Sequence, residues 1–125
     1  MTLLHLLRID STAGLTAGAL VLLAQRWLAD LYALPLALII GIGVANLAYG
    51  TASGSLLLLR PRQLPRLVRL LAIANILWAA GCIALGVRWF GIASPFGLAQ
   101  LFGEGLLVGA LGVVEWRASH TARVD

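Results

Sequence analysis

The sequence predicts an all-α fold: a four-helix antiparallel transmembrane bundle, in one integral membrane domain over residues 1–125. Three observations lead there. Four apolar runs are each long enough to cross a bilayer, which takes about 20 residues. Only 11% of the residues are charged and the mean hydropathy is +0.97, where a soluble domain carries roughly a quarter charged. The arginines gather at the ends of the runs, as interfacial anchors do. The spans fall at about residues 10–29, 35–59, 67–89 and 95–116. No soluble domain or linker is expected beside them.

The first span follows a short apolar stretch, Met1 to Arg8, which is either its opening turns or an interfacial segment. Asp10, Ser11 and Thr12 have the side chains of a helix cap, so the helix is expected to start after them. Gly14 and Gly18 form a G-x-x-x-G pair that lets two helices approach closely. Arg26, Trp27, Asp30 and Tyr32 mark the exit from the membrane.

Pro35 suits the first turn of the second span. Within it Asn46, Gly50 and Gly54 follow at intervals of four and share one helix face. A polar residue above two glycines predicts a tight helix–helix seam. The stretch from Arg60 to Arg69 is the most polar between spans. Pro61 and Pro65 break the helix there and four arginines hold it at the surface.

The third span carries Asn75, Trp78, Cys82 and Gly86, and Arg88 to Phe90 mark its exit. A turn from Gly91 to Pro95 leads into the fourth, which contains Glu104 and ends at Trp116. Arg26-Trp27 and Arg88-Trp89 close the odd spans, while Pro35 and Pro95 open the even ones. That faint repeat predicts two like-oriented helical hairpins.

Orientation follows from the arginines. With four spans, one side of the membrane holds Arg8, Arg60, Arg62, Arg66, Arg69, Arg117 and Arg123, and the other holds Arg26 and Arg88. The excess places both termini in the cytoplasm of a bacterium, with the protein multi-pass in its inner membrane. The arginines account for the pI near 10.7 as an orientation signal, so no nucleic-acid partner is expected. Membrane lipids are the expected partners, with anionic headgroups drawn to the basic side. A homo-oligomer through the Gly14/Gly18, Gly50/Gly54 or Gly105/Gly109 faces is the other.

Enzyme chemistry finds no support. The lone Cys82 leaves no intrachain disulfide and no cysteine metal site. His5 and His120 lie at opposite ends of the chain, and no nucleophile–base spacing, phosphate loop or carboxylate pair stands out. No catalytic residue, cofactor or metal is expected.

The residue that most needs explaining is Glu104. A carboxyl near mid-bilayer costs about 3 kcal/mol on insertion scales and is retained where it has a partner or a task. Counted from the outer face at about 1.5 Å per residue, Glu104 lies roughly 14 Å deep, Asn46 roughly 17 Å, and Tyr49, Asn75 and Thr16 near 20 Å. Gln100 is one turn from Glu104 on the same face. Trp78, mid-span and one turn from Asn75, is placed to line a cavity. Glu104, Asn46, Asn75, Tyr49, Thr16, Gln100 and Trp78 are therefore the candidate site, a polar layer to which every span contributes; its groups either satisfy each other and hold the bundle together or line a small polar site around the acid. Asp10 and Glu115, near the basic side, are expected instead to pair with Arg8, Arg60, Arg66 or Arg69. Such surface pairs contribute about 0–1 kcal/mol.

Leu7-Arg8-Ile9-Asp10 before a glycine-rich span, Asn75-x-x-Trp78-Ala79 in the third and Pro95-x-Gly97 opening the fourth resemble a loose group of uncharacterised four-span bacterial integral membrane proteins. The resemblance covers the whole chain and implies the four-span fold but no activity. The small multidrug resistance transporters are similar in size and span number. They carry their acid in the first span, whereas Glu104 is in the fourth. The fluoride channels are also of this size, but their motifs are not found here. Two functions are consistent with the layer. One is binding of a lipid-like or small polar ligand, or an accessory-subunit role. The other is a small oligomeric proton- or cation-coupled transporter or channel that uses Glu104.

Overall fold

The computed structural model describes residues 3–58 and 64–121. They form five helices: α1 Leu3–Leu23, α2 Gln25–Tyr32, α3 Leu36–Leu56, α4 Leu64–Arg88 and α5 Pro95–Thr121. Four of them, α1, α3, α4 and α5, are long and apolar enough to cross a membrane. The short α2 continues α1 past a break at Ala24, whose φ of −103° and ψ of 19° leave the helical range. Arg60 and Arg62 of the polar stretch, and Arg123 and Asp125 of the tail, lie outside the described residues.

The first helix begins earlier than its apparent cap. It runs without interruption through Asp10, Ser11 and Thr12. Asp10 and Ser11 are buried, and the Ser11 hydroxyl donates 2.9 Å to the Gly50 carbonyl of α3. Their side chains bond across to a neighbouring helix, where a cap would bond the next turn. The fourth helix also starts earlier than expected, at Leu64, with Pro65 in its first turn. No intrahelical N–H is lost at that position.

The chain forms two hairpins. α1 packs along α3 and α4 along α5, and contacts between the two pairs are sparse. In the first hairpin the backbones cross at glycines. A Cβ on Gly50 would stand 2.6 Å from the Leu15 amide nitrogen, and one on Gly14 would stand 2.9 Å from the Gly50 Cα. Gly18 faces the Gly43 carbonyl, Gly54 faces Ser11, and Gly105 faces Ile83 and Ala79 of α4. These glycines pack within one chain.

The hairpins are joined at both ends by apolar clusters. One gathers Leu28, Leu34, Ile39, Ile42, Ala93 and Leu101. The other gathers Leu3, Leu7, Leu64, Val68 and Leu71, where α1 and α4 start and α3 and α5 finish. Ser94 adds a polar clasp at the first end. It caps α5 by accepting from the Gly97 amide at 3.1 Å, and its hydroxyl donates 2.6 Å to the Leu31 carbonyl. Its amide donates 2.9 Å to the Tyr32 carbonyl. A Cβ on Gly97 would overlap that same carbonyl oxygen, so α2 and α5 meet in backbone contact.

The outer surface is apolar. Leu20, Leu77, Leu106 and Leu107 are each more than 60% exposed, far beyond what a water-facing helix surface carries as a continuous patch. Trp27, Phe90 and Phe96 are exposed at one end of the bundle and Trp116 at the other, the placement of interfacial aromatic belts.

Candidate functional site

Between the two apolar clusters the hairpins do not close. They enclose a cavity of about 490 Å³ lined from all four long helices. α3 and α4 supply its floor, with Asn46, Tyr49, Asn75 and Trp78. α1 and α5 supply its two lips. Ala13, Ala17 and Leu20 on one lip, and Ala99 and Leu107 on the other, line the cavity and are exposed. The exposed lining residues lie on α1 and α5.

Glu104 stands in the wall of this cavity and accepts three N–H bonds. Its Oε1 receives the Asn46 Nδ2 at 2.8 Å and the Trp78 Nε1 at 3.3 Å. Its Oε2 receives the Gln100 Nε2 at 3.1 Å. Asn46 gives its other N–H to the Ile42 carbonyl of its own helix at 2.9 Å, so both amide hydrogens are placed. Gln100 in turn accepts the Tyr32 hydroxyl at 3.2 Å. Burial first, and then the nearby Glu104 carboxyl, push the Tyr32 phenol above its ordinary range, which keeps that hydroxyl a donor. The break at Ala24 gives α2 its own course, and α2 brings Tyr32 to α5.

The structure thus brings Glu104, Asn46, Gln100 and Trp78 into one hydrogen-bonded group, and adds Tyr32, which the sequence marks only as an interfacial residue. Tyr49 lines the same cavity, but its hydroxyl donates 2.6 Å to the Ala74 carbonyl. Thr16 is not part of the group. It is exposed on the outer face of α1 and borders a shallow groove there with Arg8, Ile9 and Thr12.

Asn75 serves a second group. Its Nδ2 donates 2.9 Å to Glu115 Oε2. The Glu115 side chain hydrogen-bonds to that of Asp10, and Asp10 Oδ2 is 2.7 Å from the Ser53 hydroxyl. All four helices meet here, and Asp10, Ser53, Asn75 and Glu115 are buried at 6%, 0%, 1% and 0% exposure. The expected surface ion pairs with arginine are therefore replaced by an interior acid pair. Arg8 and Arg66 are exposed, and Arg69 directs its Nη2 to the Ser119 carbonyl at 3.3 Å. The spacing of Asp10, Gly14 and Gly18 held the missing signal. It repeats that of Asn46, Gly50 and Gly54 and puts Asp10 on the packed face of a helix that starts before it.

Fold and surface define a small polytopic α-helical integral membrane protein. Comparisons with known protein families, with characterised proteins and with solved structures returned no match.

Proposed function

We propose that the protein binds an amphipathic molecule that enters from the bilayer between α1 and α5 and sets its head against Glu104. The observation that carries this reading is the Glu104 carboxyl, fixed by three N–H donors in the wall of a cavity of about 490 Å³. That volume suits a small-molecule site, where a mostly apolar lining with a few placed polar groups is usual. A carboxylate offers about four lone-pair positions. Three are taken by the protein, and the group that completes the shell has to donate a hydrogen. An amine or hydroxyl head with an apolar tail fits; a carboxylate or phosphate head does not. The role is non-enzymatic. The arginine distribution supports a bacterial inner membrane with both termini in the cytoplasm. Among the described residues, Arg8, Arg66, Arg69 and Arg117 lie at the end where α1 begins, against Arg26 and Arg88 at the other.

The test is binding of labelled dodecylamine to the protein in lipid nanodiscs, with empty discs subtracted. Saturable binding is expected. Dodecyltrimethylammonium, which has the charge but no donor, and dodecanoate should bind weakly or not at all. Glu104→Gln puts an N–H donor in place of one acceptor oxygen, so it should weaken dodecylamine about tenfold, about 1.4 kcal/mol. Equal binding of all three amphiphiles, unaffected by Glu104→Gln, defeats the proposal.

A further inference from the structure

The acid pair at the other end of the cavity is not used by that reading. Asp10 and Glu115 are neighbours in one buried group, tied into it by Ser53 and Asn75, and two neighbouring carboxylates away from water do not both stay ionised. A hydrogen bond between two carboxyls also needs a proton that neither carries when ionised. Counting hydrogens at Ser53 gives the same answer from a different contact. Its Oγ lies 2.7 Å from Asp10 Oδ2 and 2.8 Å from the Tyr49 carbonyl, yet a hydroxyl has one hydrogen to give. A hydrogen held by the acid pair completes the second bond. Glu115 Oε1 supplies a third sign: it is fully buried, and with both acids ionised no donor is left for it.

We infer that Asp10 and Glu115 form a proton-exchange site, which holds at least one proton between them at neutral pH and exchanges it through the cavity that Asp10 lines. The surroundings suit a proton better than a metal ion. Asn75 turns an N–H, not its carbonyl, toward Glu115. Among the described residues no three histidine, cysteine or acidic side chains gather to hold a metal. The groups facing the pair are Ser53 and Tyr49 from α3, Asn75 from α4, and its own members from α1 and α5. Tyr49 is occupied by the Ala74 carbonyl. At the same end of the bundle, His5 and Arg8 on α1 and Arg117 on α5 are exposed, and Arg69 on α4 reaches Ser119 one turn beyond Glu115. The pair lies apart from the Glu104 carboxyl, whose Cα is about three turns away on α5, roughly 16 Å, though Asp10 and Glu104 line the same cavity.

The test is infrared spectroscopy of the full chain in lipid nanodiscs, following the carbonyl stretch of protonated carboxyls. Wild type should show such a band at neutral pH, and the band should shift in heavy water. Glu115→Gln and Asp10→Asn each place an amide N–H where the proton was, so each should abolish the band while the chain stays folded. Glu104→Gln should retain it. The inference is overturned by the absence of the band in wild type, by its failure to shift in heavy water, or by its loss in Glu104→Gln with retention in the other two. Should either amide variant not fold, carboxyl-13C labelling of aspartate and glutamate in Glu104→Gln decides the matter. A labelled protonated band that moves in heavy water upholds the site, and none overturns it.

Discussion

The Asn46 amide on α3 joins two helices through one nitrogen: one hydrogen goes to Ile42 a turn back, the other to Glu104 on α5. Gln100 also reaches Glu104, but from the same helix. Asn46→Ala should therefore destabilise the bundle by about 1–2 kcal/mol, at the upper end for interhelical bonds in membranes. Gln100→Ala should cost about half as much. Asn46→Asp should cost more than alanine, because a second carboxyl then faces Glu104. Reversible unfolding in mixed micelles gives the order.

The seam between α1 and α3 has no slack. Gly50→Ala sets a methyl 2.6 Å from the Leu15 amide nitrogen and 3.0 Å from the Gly14 carbonyl carbon. Both are backbone atoms and cannot move without parting the helices. A loss of about 2–3 kcal/mol is expected, the usual scale of overpacking. Gly41→Ala, on the same helix with nothing within 4 Å, is the control. It should be neutral or stabilising by up to about 1 kcal/mol, from helix propensity alone. Thermal unfolding of the two variants side by side separates close approach from a general intolerance of larger residues.

Ala33 closes α2 in the left-handed region, at φ 51° and ψ 46°. The amides of Ala33 and Leu34 donate back to the carbonyls of Asp30 and Ala29, a helix stop that glycine normally provides. Ala33→Gly should raise stability by about 0.5–1 kcal/mol, the strain relieved less the added freedom of the unfolded chain. A lowered melting temperature counts against that backbone assignment.

Ser94 ties the end of α2 to the start of α5 and so holds Tyr32 opposite Gln100. Ser94→Ala should cost about 1–2 kcal/mol, the usual loss for a helix N-cap, and Ser94→Thr should restore most of it. The alanine variant should also speed amide exchange at Gly97, whose N–H loses its acceptor. Hydrogen-exchange mass spectrometry of the segment reports this without a ligand.

The class of protein, the four spans and the two like-oriented hairpins were legible in the residues alone, and so was Glu104 as the acid that needed a partner. The hairpins follow from the repeat of Arg-Trp and Pro between the two halves, and the others from quantities that add along one helix: the transfer free energy of a run of side chains, the charge at its ends and the depth of a residue at a fixed rise. The tertiary structure alone decided which polar groups meet, because each residue turns about 100° around its helix and depth says nothing of rotation. Thr16 lies near the depth of Asn46 and points outward, whereas Gly14 and Ala17 on the same helix line the cavity. Asn75, one turn from Trp78, meets Glu115 while Trp78 meets Glu104. The acid pair of Asp10 and Glu115 exists only because α1 begins a full two turns before its apparent cap and lies against the end of α5. How two helices are rotated against each other is set by where their glycines let the backbones touch, and that is a property of the packed pair.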